Sequence, residues 1–262
     1  MSGQTGRARL AGTGTGYPRG GLHGQIVHAI GRQILSGKIR PGELLSIPAE
    51  LPASRTVLRE AIKVLAAKGL VQSRPKTGTR VRPRQAWNLL DPDVLAWQQH
   101  GATPEPFLRK LTEVRLIVEP AAAELAAQRA SAAAVQTMAE AYRSMAAALA
   151  GRIRDYQAFD QADMLFHQAI LRACGNDLLE QVTQVVYSAL LVSFQATSRL
   201  PGRAKASLPK HRAILDAIAA RQAGRAGQAM RRLVQSTARS IARLPKPLRA
   251  RARTSRPDRH IV

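Results

Sequence analysis

Cysteine is almost absent from this sequence: Cys174 is the only one in 262 residues. That excludes an intrachain disulfide and a cysteine-rich zinc site, and with no motif around it Cys174 reads as a small buried core residue. Long apolar runs are missing as well. No stretch approaches the ~18 residues that read as a spanning helix, and the N-terminus has no apolar segment of the kind that heads a secretion signal, so a cytoplasmic protein with no membrane partner is expected. Acidic residues are scarce. Seventeen Asp and Glu face 40 Lys and Arg, a formal net charge of +23 with a pI near 11.6. An excess that large exceeds what solubility requires and points to a polyanion, nucleic acid ahead of a membrane surface. Catalytic signatures are lacking too. There is no His-Glu-x-x-His, no nucleophile elbow and no glycine-rich phosphate loop, so no enzyme is expected.

What is present falls into five segments. The first, residues 1–21, opens "MSGQTGRARLAGTGTGYPRG", carries Arg7, Arg9 and Arg19 without an acid, and predicts a disordered basic arm. The last, residues 243–262, sets seven basic residues against Asp258 and predicts a flexible basic tail. Between them, residues 22–84 predict a helix over 22–36, a second short element, and a third helix that Ser54 caps and that ends before Gly69. Leu58, Ala61, Ile62 and Leu65 form the apolar stripe of that third helix, while Arg55, Arg59 and Lys63 stand four apart on a neighbouring edge with Thr56 beside them. Near a helix N-terminus such an edge suits phosphates or base edges; a solvated charged face is the plainer alternative. Two β-prone arms around Pro75, Lys76, Thr77 and Gly78 then predict a hairpin with a basic tip. Helix, helix, helix and basic hairpin make the layout of a winged helix-turn-helix, with 12 Lys or Arg against three Glu over residues 22–84.

Residues 85–102 form a linker in which Trp87 and Trp97 lie ten apart among aliphatics, a pattern suited to docking onto a domain. Residues 103–242 are alanine-rich, nearly without strand signals, and predict an antiparallel all-α bundle, so the fold class is mostly α. On one of these helices Asp163 and His167 are four apart and share a face, which serves either two ligands of one cation or a helix-surface hydrogen bond. Arg115 has Glu119 four residues on, the spacing of a salt bridge. The scattered His23, His28, His100 and His260 read as surface residues.

Three motifs in order, "IVHAIGRQILSGKIRPGELL", "SRTVLREAIKVLAAKGLV" and "RPKTGTRV", resemble the winged-helix domain of GntR-family bacterial transcription regulators. "LTEVRLIVEPAAAELAA", "FDQADMLFHQAILRACGND" and "HRAILDAI" resemble the FadR-type (FCD) effector domain, and "WNLLDPDVLAW" is similar to the branch that represses galactonate-like sugar-acid operons. The resemblance implies a homodimeric, ligand-responsive regulator bound to an operator in double-stranded DNA. It implies base and phosphate contacts from Arg55, Thr56 and Arg59, and a wing in which Gly78 approaches the minor groove. Arginine can grip guanine bidentately, while Lys76 and Arg80 are suited to phosphate. It implies Arg115 as partner of an effector carboxylate, and a divalent metal, Zn²⁺, Mn²⁺ or Ni²⁺, on Asp163, His167 and His211. Two departures stand out. Leu233 occupies the place of a fourth, histidine ligand, and "SIPAELPASR" is about four residues shorter than the family's usual helix there, with Ala49 where many relatives carry an arginine. A non-specific nucleic-acid-binding or interaction protein with a compromised helix-turn-helix is therefore the alternative reading, followed by a metal-dependent enzyme using the Asp163, His167 and His211 set.

Overall fold

The structure is a computed structural model describing residues 16–18, 20–45, 54–98, 104–181, 198, 200 and 202–243. The shortened stretch with Pro48, Ala49 and Pro52, most of both basic ends, His100 and His260 lie outside the described residues. The first helix, α1 (Gly21–Leu35), buries Ile26, Val27, Ile30 and Ile34 on one face. Next comes α2 (Arg55–Ala67). The Ser54 hydroxyl accepts from Val57 N at 3.3 Å, and Ala61 and Leu65 point into the core. The helix stops because Gly69 takes φ 75°, at a spot where any Cβ would run into the Ala86 carbonyl.

Strands β1 (Val71–Arg74) and β2 (Gly78–Val81) form the hairpin, in antiparallel register from Val71↔Val81 to Arg74↔Gly78. Its tip turns on Lys76 in the left-handed region (φ 63°), with Thr77 N donating to Arg74 O at 3.3 Å. Residues 42–45 run along the outer edge of β2, where Gly42 N donates to Val81 O, Val81 N to Glu43 O and Leu45 N to Thr79 O at 2.7–3.0 Å. The wing is thereby tied to the segment after α1, which sequence patterning did not suggest.

One core unites these elements: Ile26, Ile30 and Ile34 of α1, Ala61 and Leu65 of α2, Val71 and Val81 of the hairpin, and Trp87, Val94 and Trp97 of the linker. The linker is itself structured. Asp91 caps α3 (Pro92–Gln98), accepting from Asp93 N and Val94 N. Trp97 packs so closely on α1 that a Cβ added to Gly31 would lie 2.5 Å from its ring. Leu95, from the same short helix, belongs instead to a cluster with Leu111, Ala122, Leu171 and Cys174 of the second half. Cys174 is buried there as a core residue.

Two expectations need correction. Residues 16–18 are docked, because Tyr17 N donates to Asp93 Oδ2 at 2.9 Å and Tyr17 O meets His28 Nε2 at 3.0 Å. His28 is no surface residue: it is 5% exposed, and its Nδ1 accepts from Trp97 Nε1 at 2.9 Å. With Nδ1 accepting, the neutral ring carries its proton on Nε2 and donates to Tyr17 O. His23 is half-buried against the Tyr17 hydroxyl, 2.7 Å away.

Among the described residues, the second half is a helical bundle of α4 (Pro104–Arg129), α5 (Ala132–Ala150), α6 (Tyr156–Ala173), α7 (Arg203–Ala219) and α8 (Ala223–Ile241). Ser131 and Asp155 cap α5 and α6. Helix α4 lies against α6, α7 and α8, α5 against α6 and α7, and α7 against α8. Alanines at 123, 126, 127, 141, 162, 204, 217 and 226 fill much of the core and let the helices approach closely around Phe159, Phe166, Met138, Met145 and Met230. Among the described residues no helix is long and apolar enough to cross a membrane.

Candidate functional site

Two sites emerge, one in each half. On α2, Arg55, Thr56 and Arg59 are all exposed in the first turns, and neither arginine takes part in an ion pair among the described residues. Lys63 is different, because Glu60 meets its ammonium at 2.8 Å and neutralises that end of the charged edge. Lys76 and Gly78 stand at the exposed wing tip, and Gly78 has φ 80°, which favours glycine. Arg80 is also exposed, but its Nη1 donates to Gly42 O at 3.0 Å, so its guanidinium is anchored near the base of the wing. Cations with uncommitted charge thus lie at the capped start of α2 and at the wing tip.

The C-terminal end of α2 is gripped from the linker. Lys68 is held by Asp91 at 2.9 Å and Asp93 at 2.7 Å. Burial acts to lower its pKa, but the two carboxylates outweigh it and raise it.

The second site is a small, partly open cavity in the bundle, with a volume of about 20 Å³, room for little more than a water molecule. Asp163 and His167 reach it from one face of α6 and His211 from α7; one donor atom of each lies within 4.8 Å of the others. Asp163 Oδ1 is 2.9 Å from His211 Nε2 and 3.3 Å from His167 Nε2. The opposite ring nitrogens face fixed acceptors: His211 Nδ1 donates to Ser207 O at 3.0 Å, and His167 Nδ1 lies 3.1 Å from Glu119 Oε2. Both histidines therefore present Nε2 to the same carboxylate, the orientation that ligating histidines need. The donor set fits a divalent cation with three protein ligands, and Leu233 lines the same cavity with a side chain that cannot ligate.

Charge in this cluster is tightly balanced. Burial would raise the pKa of Glu119, yet Arg115 and His167 outweigh it and hold the carboxyl at about 2. Burial would neutralise His167, but Glu119 and Asp163 lift it to about 9. Asp163 is held far below the usual carboxylate range; burial opposes ionisation there, and His211 and His167 overcome it.

Arg115 makes the salt bridge its spacing suggested: Nε and Nη2 donate to the two oxygens of Glu119 at 2.6 and 3.2 Å. It lines the cavity as well. Sequence reasoning missed Arg203, Ser198 and the orienting role of Glu119. A signal for Arg203 existed: Arg203, Ser207 and His211 recur every four residues, a polar stripe on the face of α7 that meets the cavity.

A basic winged helix joined through a packed helix to a bundle with a polar internal cavity defines a ligand-responsive DNA-binding transcription regulator. The chain belongs to the gntR family of bacterial regulatory proteins: residues 22–81 match that family's model and residues 110–236 match the FCD domain. It is 33% identical over 226 residues to the galactonate operon transcriptional repressor of Escherichia coli K12, covering 83% of this chain and 95% of that protein. It is 31% identical over 202 residues to a probable D-xylose utilization operon transcriptional repressor of Paenarthrobacter nicotinovorans, covering 75% of this chain and 78% of that one. Among solved structures, Lar, which controls expression of the Listeria monocytogenes agr system, shares the fold with a TM-score of 0.60 at 18% identity, over 87% of this chain and all of that one.

Proposed function

We propose that this regulator is a repressor that leaves its operator when a small sugar acid, galactonate first among the hexonates, enters the bundle cavity. One observation carries the reading: a single small cavity, which must widen to admit a hexonate, is lined by the Asp163, His167 and His211 cluster together with arginine side chains, the set of groups that an α-hydroxy carboxylate requires. The similarity to a galactonate operon repressor supports the ligand class. Asp163, His167 and His211 would hold one divalent cation, Zn²⁺, Mn²⁺ or Ni²⁺, and Leu233 makes that hold weaker than a four-ligand site. When bound, the cation supplies coordination positions for effector oxygens. Arg115 contributes positive charge to the wall facing them.

Residues 22–84 serve as the DNA-binding unit, with Arg55, Thr56 and Arg59 at base edges and phosphates and Lys76, Gly78 and Arg80 along the wing. The route between the sites runs through α3, whose Trp97 belongs to one core and Leu95 to the other. The functional form is a homodimer, supported by the apolar stripe Val114 and Ile117 left exposed on α4, at 40% and 75%. A dimer also matches the two-fold symmetry of most operators read by a helix-turn-helix. The test is a footprint on the DNA upstream of the protein's own gene, with and without galactonate. A protected palindrome that galactonate releases is the expected result; equal binding to operator and scrambled duplex would overturn the reading in favour of non-specific binding.

A further inference from the structure

Arg115 and Arg203 both line the cavity, but their guanidinium groups are in different states. Arg115 already grips a carboxylate, with Nε and Nη2 on Glu119, so its side-on fork is taken by an internal anion. Arg203 stands at the first position of α7 and reaches across to α8. Its Nη1 donates to Ser236 O at 2.8 Å and Ser236 Oγ at 2.6 Å, and its Nη2 donates to Thr237 Oγ1 at 2.7 Å. All three acceptors are neutral. These bonds use both Nη1 protons and one of the two on Nη2, so the edge formed by Nε–H and the second Nη2–H has no protein acceptor among the described residues. That edge is the bidentate fork that matches a carboxylate.

The surroundings reinforce this. Burial lowers the pKa of Arg203, and of its charged neighbours only Asp163 supports the cation, while Arg115 and Arg239 oppose it. A half-buried guanidinium with neutral partners is a site in deficit of one negative charge. Ser198 is 4% exposed, lines the same cavity, and has a hydroxyl without a partner among the described residues. A ligand carrying a carboxylate and neighbouring hydroxyls would satisfy both groups.

We infer that Arg203, not Arg115, receives the carboxylate of the effector through its Nε/Nη2 edge, with Ser198 contacting an adjacent ligand hydroxyl. This rests on the reading of the cavity as a sugar-acid site. Arg115 then acts through Glu119 on His167, and its loss is felt at the cluster more than at the ligand's acid group.

Calorimetry on the full chain, titrated with galactonate and with galactonamide, its neutral analogue, tests the assignment. Wild type should prefer the acid, and Arg203→Gln should lose roughly 10- to 100-fold in galactonate affinity while galactonamide binding stays at the wild-type level. Arg203→Lys keeps the charge and a bond to Ser236 but lacks the fork, so it should fold as wild type and still lose most of the acid preference. Equal weakening of acid and amide, or an unchanged preference in both variants, overturns the assignment while leaving the sugar-acid reading intact. If wild type binds none of galactonate, gluconate and lactate, the sugar-acid reading itself falls.

Discussion

His167 and His211 each commit one ring nitrogen to a fixed acceptor and turn the other toward Asp163, and this division determines how the cavity responds to pH. In the metal-free chain His167 has a pKa of about 9, above its ordinary 6.5, so its contribution to stability is complete below pH 6.5 and is lost as pH rises through about 9. Glu119 lies at about 2 against 4.5, so its contribution is complete above pH 4.5 and is lost as pH falls toward 2. Urea unfolding of metal-free protein should therefore show a plateau between about pH 4.5 and 6.5 that falls on both sides. A cation must displace the His167 proton, so metal affinity should climb about tenfold per pH unit up to about pH 9 and level off above it. Competition with a chelator across that range checks both the slope and the break. Leu233→His should slow chelator-driven metal loss, and without metal it should cost about 1–3 kcal/mol, because an imidazole then replaces a core leucine. Thermal melts with and without Zn²⁺ separate the two effects. Asp163 and His167 were legible from their spacing, and His211 from its motif. The position of Arg203 on the cavity face was readable from its four-residue spacing to Ser207 and His211, but its role was not, because that depends on contacts with Ser236 and Thr237, more than thirty residues away in sequence.

At the scale of elements, α2 is divided along its length. Its start offers Arg55 and Arg59 outward, its middle neutralises Lys63 with Glu60, and its end is fastened to α3 through Lys68. Arg55→Ala or Arg59→Ala should cost about 1–3 kcal/mol of operator preference with little loss of affinity for random duplex, measured by competition at fixed salt. The packing of α1 on α3 has its own test. Gly31→Ala puts a methyl into the Trp97 ring and should cost about 1–3 kcal/mol of stability, seen as a lower midpoint in denaturant. Helix α1, α2 and the hairpin could be read from periodicity and turn residues, since those signals are local. The strand-like pairing of residues 42–45 with β2, the burial of His28 and the docking of Tyr17 are made by partners distant in sequence, so no local pattern announced them.

On the scale of the whole molecule, the exposed α4 stripe is tested by the state of assembly. Ile117→Lys should shift the protein toward monomer in sedimentation, with the bundle's melting temperature little changed, because Ile117 is outside the core of its own chain. Operator affinity should fall with it, since each half-site then binds alone. Helix α3 bears on how this protein can be recombined. A fragment that stops at Arg84 leaves behind Trp87, Val94 and Trp97, three side chains of the N-terminal core, and would be a poor unit for grafting. A hybrid regulator that joins this DNA-reading half to a foreign sensor needs its seam after Gln98. Even there it inherits Leu95 as an exposed apolar residue unless the incoming bundle supplies a groove for it.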